Sequence, residues 1–189
     1  LCYRCHGDSN NKPPPRTTRQ LGQTNVLLEF NTSNPSYHPV AGTGKNSNVP
    51  SLIPPLSTSS TISCLDCHNN NNGPGTNGSG PNGPHGSTYE PILERQYLTQ
   101  DPTAESASAY ALCYKCHDRN SILGNQSFSR HNLHITGRGM GGMGGGMGGM
   151  HNLSTPCNVC HDPHGVSSTQ GNSTNNSKLI NFDTSVVSR

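Results

Sequence analysis

Four times in 189 residues the chain spells Cys-x-x-Cys-His, and the four copies use all eight of its cysteines. They are Cys2-Tyr3-Arg4-Cys5-His6, Cys64-Leu65-Asp66-Cys67-His68, Cys113-Tyr114-Lys115-Cys116-His117 and Cys157-Asn158-Val159-Cys160-His161. The spacing suits covalent haem attachment, in which two thiols add to the two vinyl groups of one macrocycle and the adjacent histidine is aimed at its iron. Zinc sites built from Cys-x-x-Cys pairs, or disulfides, are the competing chemistry. With ten histidines in the chain, one after every pair by chance has odds on the order of 10⁻⁵, which favours haem.

Composition points the same way. Only 28% of the residues are hydrophobic, tryptophan is absent and there are three phenylalanines, where a chain of this size averages about 45–50% apolar. Such a polypeptide cannot bury enough surface to offset its chain entropy and by itself reads as disordered. Four covalently attached haems c would supply the missing apolar core, stapled by thioether bonds and iron ligation as metals or disulfides staple small scaffolds. The expected fold is therefore a haem-cored multihaem cytochrome c, mostly coil with few short helices and little strand, and unfolded without haem. One helix is predicted over residues 102–118, with Asp101 as N-cap and Pro102 at the first position. Residues 24–30 and 179–187 read as short strands. The Asn/Gly/Pro-rich stretch 69–86 reads as loop.

The chain also reads as an internal duplication, a single tetrahaem domain with a first dihaem half over 1–90, a second over 91–167 and a tail over 168–189. Half one runs from Cys2 through Phe30, His38 and Cys64 to Gly83-Pro84-His85-Gly86; half two runs from Cys113 through Phe128, His134 and Cys157 to Asp162-Pro163-His164-Gly165.

Histidine numbers bear on the chemistry. Beside the motif ligands His6, His68, His117 and His161, six more are present: His38, His85, His131, His134, His151 and His164. That surplus argues for imidazole on both faces of every iron, which leaves no vacant position for a substrate and points to electron transfer rather than an enzyme. His164 follows His161 across Asp162-Pro163, too short a link to pass around a porphyrin edge, so it should serve a neighbouring haem. His85 should do the same in the first half, with Gly86 and Gly165 letting backbone approach the macrocycle. His38 and His134, equivalent in the repeat, are expected on the other two irons. His131 is a fifth candidate that displaces one of these or is lent as a ligand to another molecule, and it reads equally as a propionate partner. Residues 137–150 hold Met140, Met143, Met147 and Met150, read as a flexible insertion, with thioether ligation or a Cu(I) site as alternatives.

The pairing of Cys-x-x-Cys-His with a following Pro-His-Gly, as in Cys157 to Gly165, resembles the doubled-motif multihaem cytochromes of metal-respiring bacteria. The four-haem size and the phrase Phe128…His131-x-x-His134 are similar, more narrowly, to the OmcE-type extracellular cytochrome filaments, the cytochrome nanowires. The resemblance runs from Leu1 to Gly165; the Gly/Met insertion and the long loop between His68 and His85 depart from it. It implies a head-to-tail homopolymer in which one subunit lends a histidine to an iron of the next, feeding redox partner cytochromes or extracellular acceptors. The tail could add a strand to a neighbouring chain.

Net charge is +2, too weak for nucleic acid binding. No apolar run is long enough to span a membrane. A first motif at Cys2 suggests a mature chain that has lost an export signal, placing the protein outside the cell or at its surface, with the periplasm as the alternative. A monomeric periplasmic shuttle and a multihaem reductase are the competing functions.

Overall fold

The computed structural model describes residues 1–10, 12, 14–137 and 154–187. Met140, Met143, Met147, Met150 and His151 lie outside the described residues. Within them the chain is mostly coil with a few short helices and little strand. The helices are α1 (Tyr3–His6), α2 (Val26–Glu29), α3 (Ala111–Tyr114), α4 (Arg119–Leu123), α5 (His131–Thr136) and α6 (Cys157–Cys160). Two-residue strands β1 (Ser36–Tyr37) and β2 (Gly165–Val166) pair antiparallel, Ser36 opposite Val166 and Tyr37 opposite Gly165. His38 N–H extends this ladder by donating to the His164 carbonyl at 3.0 Å. The two sequence halves are thus joined through their own candidate ligands.

Three local expectations are corrected. Residues 24–30 hold a helical turn where a strand is expected, because the Asn25 side chain accepts from the amides of Leu27 and Leu28 and caps α2. The helix expected over 102–118 shrinks to α3. Thr103 N–H donates to the Ser154 carbonyl at 3.1 Å and Ser154 Oγ returns a bond to the Thr103 carbonyl. Ser106 Oγ then accepts from Ala109 N–H at 3.0 Å. A hydroxyl that offers the backbone a local partner defers helix formation to the residues beyond it. Residues 179–187 form two isolated bridges, at Ile180 and Asp183, and no longer strand. Gln20 N–H donates to the Phe182 carbonyl and Thr184 N–H to the Thr18 carbonyl, each at 2.8 Å. On the other side, Asn181 and Asp183 amides donate to the carbonyls of Cys160 and Val159. The tail therefore seals the fourth motif against the N-terminal segment.

Stretch 69–86 is loop apart from one 3-10 turn at Pro74–Thr76. The apolar core is small: Ala109, Tyr110 and Ile135 form a buried cluster flanked by Tyr97, Tyr114, Ile122, Leu123, Cys113 and Cys157. Buried polar side chains outnumber buried apolar ones among the described residues, so hydrogen bonds do much of the joining. Asn34 Nδ2 donates to the Leu28 and Glu29 carbonyls and its Oδ1 accepts from Ser168 N–H. Asn181 clasps the backbone of Leu21 with both ends of its amide.

Candidate haem centres

The four Cys-x-x-Cys-His motifs share one local shape. In each, the histidine amide donates to the carbonyl of the first cysteine, at 2.9 Å for His6, 2.8 Å for His68, 3.0 Å for His117 and 2.9 Å for His161. That bond closes a single helical turn, which brings residues three and four apart onto one face. Each turn therefore presents Cys2/Cys5/His6, Cys64/Cys67/His68, Cys113/Cys116/His117 or Cys157/Cys160/His161 to one side, as tethering one macrocycle demands. Local capping differs: Ser63 and Asp66 form a reciprocal capping box around the second motif, whereas the third is entered from the packed Tyr110.

The turns are neighbours in chain order. Cys2 lies beside Cys64, and Cys113 beside Cys157. Cys67 lies close to Cys116, and Lys115 Nζ bridges their turns by donating to the Asp66 carbonyl at 2.7 Å. Burial pushes the Cys67 thiol up to about 11, with Cys116 adding to the effect. None of the eight cysteines is paired in a disulfide.

Six histidines face each other in three pairs. Ring centres are 6.4 Å apart for His38 and His117, 6.2 Å for His68 and His164, and 6.3 Å for His131 and His161. Two imidazoles sharing one metal at the usual metal–nitrogen length of about 2 Å hold their ring centres roughly 6 Å apart, each centre lying about an ångström behind its ligating nitrogen. All six rings also engage Nδ1. His68 donates to the Pro91 carbonyl at 3.0 Å, His161 to the Lys178 carbonyl at 3.0 Å, and His38 to the Pro163 carbonyl. His117 meets Ser51 Oγ at 2.9 Å, His131 meets Ser127 Oγ at 3.4 Å, and His164 meets Glu29 Oε2 at 3.0 Å. Anchoring Nδ1 fixes tautomer and ring plane and leaves Nε2 for a metal.

Burial keeps these rings in the neutral form that binds iron. It pushes His117 down to about 4, helped by nearby His38 and His161, and His161 likewise to about 4. His38, His68 and His131 are lowered by the same cause. His164 is the exception: burial works against its charge, but the Glu29 carboxylate more than reverses that and raises it.

Two of the three pairs cross the sequence halves, His38 meeting His117 and His164 meeting His68. His164 thus lies on a motif other than its own, at a distance the short Asp162-Pro163 link permits. On the fourth motif it is His131, not the repeat-equivalent His134, that faces His161. The remaining rings, His6, His85 and His134, are exposed and none faces another histidine at this spacing among the described residues. His85 leans on Gly83, and His134 packs edge-on to Phe128 at 6.0 Å. Gly165 lets protein backbone come close: a Cβ there would lie 2.2 Å from the Glu29 carbonyl oxygen. At Gly86 a Cβ would meet nothing within 4 Å.

Glu29, Asp162 and His164 are the one group among the described residues whose three ligand atoms cluster within 4.8 Å. Arg19 Nε sits 3.5 Å from Asp162 Oδ2 in the same buried pocket, so the cluster already holds its cation. No thiol joins such a cluster, which disfavours a preformed zinc cage. The Nδ1 partners Glu29, Ser51, Ser127, Pro91, Pro163 and Lys178 escaped sequence reasoning; three of the six act through a backbone carbonyl that any residue carries. Compared with known protein families, curated proteins and solved structures, the chain matches none.

Proposed function

We propose that the chain is a tetrahaem cytochrome c that moves electrons and catalyses no reaction of its own. The observation that carries this reading is the set of three imidazole pairs at the spacing of a shared iron, each with one ring from a Cys-x-x-Cys-His turn. Haem, when bound, supplies a one-electron ferric–ferrous couple. The chain's part is to tether it through Cys64/Cys67, Cys113/Cys116, Cys157/Cys160 and Cys2/Cys5, to fill both axial positions and to exclude small ligands. The pairs His68/His164, His117/His38 and His161/His131 would serve three haems, and His6 the fourth. Contacts between successive motifs support a row in chain order, short steps that suit electron hopping.

The fourth haem's second imidazole would come from His85 of the same chain or from His134 of another copy. His6 and His134 belong to opposite ends of the motif order and are both exposed, which supports the second arrangement. A donor site and an acceptor site on different surfaces give a heterologous contact, and one that does not close extends as an open filament. We therefore favour an extracellular homopolymer over a monomeric periplasmic shuttle, with other cytochromes or extracellular acceptors as redox partners. A wholly low-spin spectrum indifferent to CO is expected, together with filaments by electron microscopy. High-spin haem that binds CO would restore the reductase alternative, and monomers alone by light scattering would leave the shuttle.

A further inference from the structure

The geometry points to Glu29 as the positioning residue that gives the haem between His68 and His164 the lowest reduction potential of the three ligated within the chain. This rests on the bis-histidine reading above and adds a ranking that the spacing of the rings does not contain.

The six anchored rings differ in what Nδ1 meets. Three donate to neutral backbone carbonyls, of Pro91, Pro163 and Lys178, and two meet the hydroxyls of Ser51 and Ser127. His164 alone meets a carboxylate, at 3.0 Å. With Nε2 on iron and one proton between Nδ1 and Oε2, the pair carries one negative charge whichever atom holds that proton. A carboxylate behind a ligating imidazole makes it a stronger donor, and a stronger donor favours ferric over ferrous iron.

Glu29 is held for this task. It ends α2, whose first turn Asn25 caps. Its carbonyl accepts from Asn34 Nδ2 at 2.8 Å, and Gly165 passes too close to it to carry a side chain. The side chain is buried, 7% exposed, so solvent does little to screen its charge. One neighbouring cation faces two carboxylates: Arg19 lies 3.5 Å from Asp162 and also acts on Glu29, so the three groups together keep one negative charge. The ring opposite, His68, donates to a carbonyl, so this haem would have an anchored donor on each face. The haem between His161 and His131 has the reverse setting, with the longest Nδ1 contact, 3.4 Å, and the cationic Lys178 close to His131.

The test is an equilibrium redox titration of the holoprotein, followed by electron paramagnetic resonance so that individual ferric haems are tracked. Glu29→Gln keeps the shape and a neutral acceptor, and Glu29→Asp keeps the charge. In the Gln variant the lowest-potential haem should become at least tenfold easier to reduce at a given potential, a rise of about 59 mV for a one-electron couple, with the other three unmoved. The Asp variant should stay near wild type. A Gln variant indistinguishable from wild type overturns the proposal, as does movement of another haem or an equal rise in both variants. Failure of the underlying reading looks different: high-spin or CO-binding haem in the unmodified protein.

Discussion

His131 and His134 lie three residues apart on α5, and only one of them can pair with His161 within its own chain. The structure sets His131 against His161 at 6.3 Å, while His134 is exposed against Phe128. Three residues of helix advance about 4.5 Å along the axis. That is more than twice a metal–nitrogen bond of about 2 Å, so His134 cannot take over the position unless α5 slides. His131→Ala should therefore strip one of eight axial imidazoles and leave one haem in four five-coordinate. The low-spin ferric signal should fall by a quarter, and the reduced protein should bind one CO per chain. In the assembled protein His134→Ala should leave the His161 haem low-spin, acting instead on subunit assembly and on the His6 haem whose lent imidazole it removes. Magnetic circular dichroism with a CO titration reads both outcomes. If His131→Ala stayed fully low-spin while His134→Ala lost the signal of the His161 haem, the pairing argued here would be refuted.

Two further outcomes follow from the packing. Gly165→Ala would force a methyl group to within 2.2 Å of the Glu29 carbonyl oxygen and 3.0 Å of the Ser36 carbonyl oxygen. Backbone atoms cannot rotate away, so the cost should be about 1–3 kcal/mol, read as a melting point lower by about 2–4 °C per kcal/mol for a chain of this size; an unchanged melting point would sink the close-approach argument. Glu105 accepts from Arg119 Nε at 2.8 Å, Arg119 Nη2 at 2.6 Å and Tyr114 Oη at 3.0 Å, tying α4 to the third motif. Those bonds, Arg119's first, hold its carboxyl below the ordinary value. The stabilisation is thus present above the ordinary carboxylate range and lost as pH falls through the folded value. With Arg119 40% exposed, Glu105→Gln should cost about 1 kcal/mol at neutral pH. Melting curves of the two proteins should converge in acid, and a gap that widened there would contradict the assignment.

The local shape of the candidate site was legible in the sequence because Cys-x-x-Cys-His spacing sets which side chains share one turn. The short Asp162-Pro163 link likewise agrees with His164 lying beside His68 and not His161. Pairing was harder. The repeat made His134 the equivalent of His38, yet His131, three residues and almost a full helical turn earlier on α5, lies against His161 instead. The crossing of halves through β1 and β2 depends on Gly165 fitting under Glu29, a long-range contact that no local pattern announces. Helix 102–118 failed because alanine content is a weak preference beside the bonds that Thr103 and Ser106 make. The tail misled for a related reason: its apolar alternation suited a strand, but its amides found partners on both the first and the fourth segments.

The central claim is that each cysteine pair carries a macrocycle whose iron sits between two imidazoles. Intact mass and peptide mapping of the purified protein address the first half of it directly. The account predicts a coloured protein heavier than its 20.1 kDa polypeptide by four haems, yielding four haem-bearing peptides, one for each of Cys2/Cys5, Cys64/Cys67, Cys113/Cys116 and Cys157/Cys160. A colourless chain at the bare polypeptide mass, with eight alkylatable thiols, would contradict it.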